Sequence, residues 1–234
     1  MAHLPDNNAQ QEGVLLLHGL ARTSRSMHPL ARFLQRQGYV VHNAGYPSRN
    51  MSIEGLAQSH LPKAFARLTE QGVATIHVVT HSMGGIVLRC FVRDEKPAHL
   101  GRVVMLSPPN QGSEVVDVLG RFAWFRWFFG PAGCQLGTGE DGLPGRLGRV
   151  DFPLGIITGN RPALGLTYFF SGPNDGKVAV ARAQVAGMDD FLVLPCGHSL
   201  IMRKAAVQLQ VLHFLRHGCF QREGVECSMS SVPG

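Results

Sequence analysis

Short apolar runs punctuate the chain at Val14 to Leu17, Tyr39 to His42, Ile76 to Thr80, Val103 to Leu106, Gly155 to Thr158 and Phe191 to Leu194. Their length and β-branched content predict buried parallel strands. Between them, over about Ser26 to Gln37, Ser52 to Gln71, Met83 to Arg93 and Ser199 to Arg216, apolar residues recur every three or four positions and predict helices. This alternation predicts an α/β fold, with about six mostly parallel strands in one sheet and helices on both faces, because each parallel pair needs a crossover. In such sheets ligands gather at the carboxyl ends of the strands. Several of the predicted strands run straight into polar, glycine-bearing segments at that end.

A length of 234 residues suits a single domain. Its core is expected over about 13–220, with an insertion over about 114–152 and loose termini at 1–12 and 221–234, where apolar periodicity is missing. Apolar residues make up 44% of the chain against 16% charged, enough for a sizeable core and too apolar for intrinsic disorder. The net charge of +6 is scattered and accompanies no nucleic-acid motif, so no nucleic-acid partner is expected. The five cysteines, Cys90, Cys134, Cys196, Cys219 and Cys227, are odd in number and lack CxxC spacing, which argues against structural disulfides and a zinc site. The chain shows neither a leader-like apolar region at its start nor a run of the roughly 18 to 20 apolar residues that span a bilayer, and a reducing cytoplasm is the expected location.

The segment richest in chemistry is IHVVTHSMGGIVLRC, from Ile76 to Cys90. A strand ends near Thr80, Ser82 takes a tight turn and a helix starts at once, the arrangement of a nucleophile elbow. Gly84 meets the need for a small residue two places after the serine, and Gly85 gives packing room, although Thr80 stands where the G-x-S-x-G pattern has its first glycine. The plainer reading makes Ser82 an ordinary helix cap. His18-Gly19-Leu20 ends the first strand, where the loop can aim the Leu20 N–H at a developing oxyanion; the Met83 N–H, at a helix start, would be the second donor. Asp175, in the SGPNDGKVAV loop, is the candidate acid, although Asn-Asp-Gly also makes plain turns and Asp175 lies roughly sixteen residues beyond the preceding strand. Asp151, Asp189 and Asp190 fall at the opposite end of the sheet. His198, in LPCGHSLIM after the last strand, is the candidate general base. His213 and His217 belong to the final helix, and His81 is expected to point away from Ser82 across the elbow.

The order Ser82, Asp175, His198 is that of α/β-hydrolases. From Gly13 to about Phe220 the sequence resembles the lipase and esterase branch of that superfamily, most tellingly in LLLHGLARTSRSM, THSMGG, SPPNQGS, GPNDGKV and LPCGHSLIM. The resemblance implies an acyl-enzyme mechanism without metal or organic cofactor, acting on a small-molecule or lipid ester. The sheet looks reduced, because the first strand leads directly into HGL and the two leading antiparallel strands of larger members are missing.

In this superfamily an insertion such as 114–152 usually forms a lid. Here it contains LGRFAWFRWFFG, so Phe122, Trp124, Phe125, Trp127 and Phe128 are candidates for a pocket wall, and with Arg121 and Arg126 for a transient membrane-surface contact. The plainer reading is a helix buried against the domain. The glycine-rich stretch after it is expected to be an irregular, mobile loop. Ester, thioester and amide cleavage and acyl transfer to an alcohol would share one covalent intermediate, and a silent binding module would keep the fold without the chemistry. A haloalkane or epoxide enzyme would need a carboxylate where Ser82 stands.

Overall fold

The computed structural model describes residues 11–139, 142–162, 170 and 172–222. Its strands are β1 (Glu12–Leu17), β2 (Val40–Ala44), β3 (Thr75–His81), β4 (Leu100–Leu106), β5 (Leu154–Gly159) and β6 (Asp190–Leu194). They form one sheet in the order β2-β1-β3-β4-β5-β6, and every adjacent pair is parallel. Each predicted strand is present within a few residues of its expected limits. The first begins at Glu12, inside the segment expected to be loose, because Glu12 pairs with Thr75 of β3.

The helices are α1 (His28–Arg36), α2 (Ile53–Thr69), α3 (Met83–Asp94), α4 (Glu114–Leu119), α5 (Ala123–Cys134), α6 (Leu143–Arg146), α7 (Val180–Ala183) and α8 (Ala205–His217). The period of two in β1 divides the core. Leu15 and Leu17 join Val78, Val103, Met105 and Ile156 against α2 and α3. Val14 and Leu16 join Val79, Val104, Leu106 and Ile157 against α1 and α8. Both faces of the sheet are therefore dry, which is why its strands read as continuous apolar runs.

Three expectations need correction. The final helix starts at Ala205, because His198–Arg203 winds as a 3-10 turn and Lys204 is extended, with φ −74° and ψ 126°. The stretch after the aromatic segment is anchored at described residues rather than loose: Leu136 and Leu143 are buried, and the Gln135 side chain accepts from the Ile53 N–H (2.7 Å) and donates to Glu54 (2.6 Å). Cys90, Cys134 and Cys196 are free thiols but Cys219 is disulfide-bonded, contrary to the expectation of no disulfide, so the cysteines do not point to a reducing compartment. Among the described residues, no helix is long and apolar enough to cross a membrane. The first ten residues and most of the segment 221–234 lie outside the described residues, as does Ser171 of the Asp175 loop.

Candidate active site

β3 delivers Ser82 at the centre of the sheet's carboxyl edge, and α3 leaves from it. Ser82 has φ 54° and ψ −126°, a region that costs a side-chain-bearing residue roughly 1 to 3 kcal/mol and persists only where its surroundings enforce it. The Ser82 N–H donates to the Leu106 carbonyl (2.8 Å) and the Gly85 N–H to the Ser82 carbonyl (3.0 Å), fixing the elbow from both sides. A Cβ at Gly84 would stand 2.8 Å from the Leu17 carbonyl oxygen and 2.9 Å from that of His18. The glycine is thus required by the end of β1 rather than by the turn's own backbone.

His198 follows β6 and is buried, with its N–H donating to the Asp175 carbonyl (3.0 Å). Its Nδ1 lies 2.8 Å from Asp175 Oδ2 and its Nε2 3.0 Å from Ser82 Oγ. Asp175 comes roughly sixteen residues after β5 yet returns to that strand's end: a Cβ at Gly159 would be 3.2 Å from the Asp175 Cβ. Its Oδ1 accepts from the N–H groups of Lys177 (2.9 Å) and Val178 (2.8 Å), closing an Asx turn, while Oδ2 is left for His198. The turn reading and the acid reading of Asn-Asp-Gly therefore hold together. Burial would raise the pKa of Asp175, but the His198 charge and hydrogen bond, the neighbouring Ser107 hydroxyl and the Lys177 N–H outweigh it and hold the carboxyl below its ordinary value. An ionised carboxylate only accepts, so Nδ1–H of His198 donates to Asp175 and Nε2 is the nitrogen turned to Ser82.

Gly19 passes close beneath this array: a Cβ there would meet Ser82 Cβ at 3.1 Å and His81 Nδ1 at 2.9 Å. The next residue, Leu20, sends its side chain into the cavity over Ser82. Met83 opens α3, where first-turn N–H groups have no acceptor within the helix. The loop is anchored by Tyr46, whose hydroxyl donates to the His18 carbonyl, whose N–H donates to His18 Nε2 (3.3 Å) and whose ring stacks on His18 at 4.0 Å.

The other acids are committed elsewhere: Asp151 pairs with Lys96, Asp189 accepts from the Leu154 N–H, and Asp190 binds Arg222 and the Phe220 N–H. His213 bonds to the Cys219 carbonyl within the α8 end. His81 does not turn away. It is buried beside His198 (ring centroids 4.9 Å), and its Nε2–H donates to the His198 carbonyl (3.0 Å), so its Nδ1 is the bare nitrogen, without a hydrogen-bond partner. Burial first, then the His198 charge, lowers its pKa well below 6.5.

A cavity of about 290 Å³ opens over Ser82 and His198. Val115, Val116 and Leu119 of α4 and Trp124, Phe125 and Phe129 of α5 wall it. Of the aromatic candidates, Trp124 and Phe125 thus line the cavity, whereas Phe122, Trp127 and Phe128 lie outside it and are exposed; Phe128 sits under Arg49, 5.2 Å from the ring centre. Phe129, Ser107 and His81 were missed as site residues. The signal for Ser107 was its place at the end of a predicted strand, as for Ser82, but its φ of 49° has no sequence mark. Among the described residues, no cluster of three or more His, Cys, Asp or Glu side chains is disposed to hold a metal ion.

No family model matches the chain, and no curated protein is similar to it in sequence. Among solved structures it is similar to the mature form of lipase BlEst2 of Bacillus licheniformis, with TM-score 0.68 and 17% identity over 92% of this chain and 95% of that one. It is also similar to lipase B of Aspergillus fumigatus (TM-score 0.67, 14% identity, 92% and 56% covered). With phospholipase PlaB of Legionella pneumophila the TM-score is 0.60, at 20% identity over 74% of this chain and 46% of that one. The chain has the α/β-hydrolase fold, in the form found in lipases and esterases.

Proposed function

We propose that this protein is a serine hydrolase that cleaves a carboxylic ester through an acyl-enzyme on Ser82. The observation that carries the reading is the continuous hydrogen-bonded chain from Ser82 Oγ to His198 Nε2 (3.0 Å) and from His198 Nδ1 to Asp175 Oδ2 (2.8 Å), beginning at a strained elbow. As Ser82 Oγ attacks the ester carbonyl, its proton passes to His198 Nε2 and the carbonyl oxygen takes up the negative charge. The N–H groups of Leu20 and Met83 stabilise that oxyanion. On collapse, His198 returns the proton to the departing alcohol. A water then gives its proton to His198 and attacks the acyl-enzyme, and the proton returns to Ser82 as the acid leaves. Asp175 keeps His198 in the Nδ1–H form and balances its charge.

The apolar wall from α4 and α5 suits an acyl chain and favours an ester of a fatty or small aliphatic acid. Thioester or amide cleavage and transfer to an alcohol would use the same residues. A fluorophosphonate probe is expected to add once to the wild type and not to Ser82→Ala, with a p-nitrophenyl ester series turned over by the wild type alone. A folded wild type that takes up no probe and turns over no ester would instead make the chain a binding module.

A second reading, that 114–152 is a lid which touches membrane surfaces, is supported by its outer face. Trp127 is 85% exposed, with Phe122, Trp124 and Phe128 around it and Arg121 and Arg126 exposed beside them. Such a face suits shallow insertion among anionic headgroups.

A further inference from the structure

The mouth of the cavity has a chemistry quite unlike its walls. Arg22 and Lys177 line the same cavity as Ser82 and His198. A second crevice, of about 310 Å³, shares His198 and Lys177 with it and carries Arg161 and Lys204. Among the described residues, no carboxylate comes within ion-pairing distance of Arg22 or Lys177. The described acids nearby are already engaged. Asp175 is buried on His198 and two backbone N–H groups, Glu114 pairs with Arg182 (2.7 Å), and Asp117 holds Thr138 through its N–H and hydroxyl.

The Lys177 backbone is fixed, since its N–H donates to Asp175 and its carbonyl accepts from Ser113 Oγ (2.7 Å), which leaves the ammonium as the part that can meet a ligand. Desolvation first, and then the Arg22 charge, lower the Lys177 pKa against a weaker pull from Asp175. Arg22 is lowered in the same way, by desolvation and then by Arg203. Like charges gathered at one opening, with no described carboxylate in ion-pairing distance, repel one another, and a bound anion would remove that cost.

We propose that this mouth binds an anionic group of the substrate, so that the ester cleaved carries a phosphate or a carboxylate close to the scissile bond. The proposal rests on the reading of Ser82 as nucleophile, with Arg22 and Lys177 as the specificity-determining pair. Guanidinium and ammonium groups both suit either anion through charge-assisted hydrogen bonds. The apolar wall would hold the aliphatic part of the same molecule.

The test compares kcat/KM for two matched pairs of soluble esters: mono-p-nitrophenyl glutarate against p-nitrophenyl valerate, and dibutyryl phosphatidate against dibutyrylglycerol. The charged member is expected to be favoured by roughly tenfold or more. That ratio should fall to about one in Arg22→Gln/Lys177→Gln, fall in part in Lys177→Gln alone and persist in Lys177→Arg. Preference confined to the phosphatidate assigns a glycerolipid headgroup, and preference confined to the glutarate assigns a charged acyl chain. Binding of hexyl phosphate against hexanol to Ser82→Ala, followed by NMR, reads the anion site without turnover. Binding of the phosphate that weakens with Lys177→Gln and is lost with Arg22→Gln/Lys177→Gln supports the site even if no ester is cleaved, in which case only the hydrolase reading falls. Neutral esters cleaved as fast as charged ones, or a ratio that Arg22→Gln/Lys177→Gln leaves unmoved, would overturn the proposal and leave the hydrolase reading standing.

Discussion

Asp175 divides its work between two oxygens: Oδ1 holds its own turn closed and Oδ2 faces His198. An amide can keep only one of these arrangements. In Asp175→Asn the carbonyl oxygen is expected to stay on the turn, presenting an NH₂ group to His198 and forcing the proton onto Nε2, the wrong nitrogen for a base. Ester turnover should fall by about 10³ to 10⁴ with circular dichroism unchanged. A loss of less than tenfold would remove Asp175 from the orienting role. Gly84 is constrained by contact: the oxygens 2.8 and 2.9 Å from where a methyl group would stand belong to the backbone of Leu17 and His18 and cannot rotate away. Gly84→Ala is expected to cost about 1 to 3 kcal/mol in denaturant unfolding and to displace Ser82. An alanine variant with full stability and activity would contradict that geometry.

The aromatic helix shows how one short element serves two surfaces. Its first part ends at Gly130, with φ 66° and ψ −169°, where a Cβ would overlap the Arg49 carbonyl oxygen. Before that break, Phe125 turns inward at 3% exposure and packs on Phe129 (4.5 Å), while Trp127 turns outward at 85%. Truncation should therefore separate two effects. Phe125→Ala is expected to lower stability by about 3 kcal/mol and to open the cavity wall. Trp127→Ala is expected to change stability by less than about 0.5 kcal/mol yet weaken sedimentation with anionic vesicles several-fold. Unaltered vesicle binding in Trp127→Ala would count against the membrane contact. The sequence marked this segment as aromatic but not its inside and outside, because the face that turns inward depends on where α4 and the cavity lie.

Across the whole molecule, packing the HGL loop and the elbow against each other buries two histidines, and burial disfavours their charged form. Burial lowers the pKa of His18 against hydrogen bonds with Gly19 and Tyr46, and lowers that of His81 more strongly, with His198 and Arg22 adding to it and Asp175 opposing. In the unfolded chain both take up protons near 6.5; in the folded chain they resist until lower pH. Over that interval the unfolded state binds more protons, so stability is present above about pH 6.5 and is lost as pH falls through the folded values. The melting temperature should decline between about pH 7 and pH 5, with a shallower decline in His81→Gln. A flat profile would mean that the two rings are protonated, or solvated, in the fold.

The sequence by itself determined the strand and helix alternation, the buried sheet, Ser82 at a strand end, and the candidacy of His198 in its glycine loop. Those features are local: runs of apolar residues and turn-forming glycines act within a few residues of themselves. It also left Asp175 suspended between a turn and an acid, set His81 on the wrong side of the elbow, merged the 3-10 turn at His198 with α8, and passed over Ser107 and the pairing of Cys219. Tertiary structure decided these. Whether Asp175 meets His198 depends on Asp175 lying at the end of β5 although it comes roughly sixteen residues later, and the cationic mouth exists only because residues as distant as Arg22 and Lys177 converge there. Such meetings are set by the sheet's strand order and by which backbones approach each other, quantities that no short window of sequence contains.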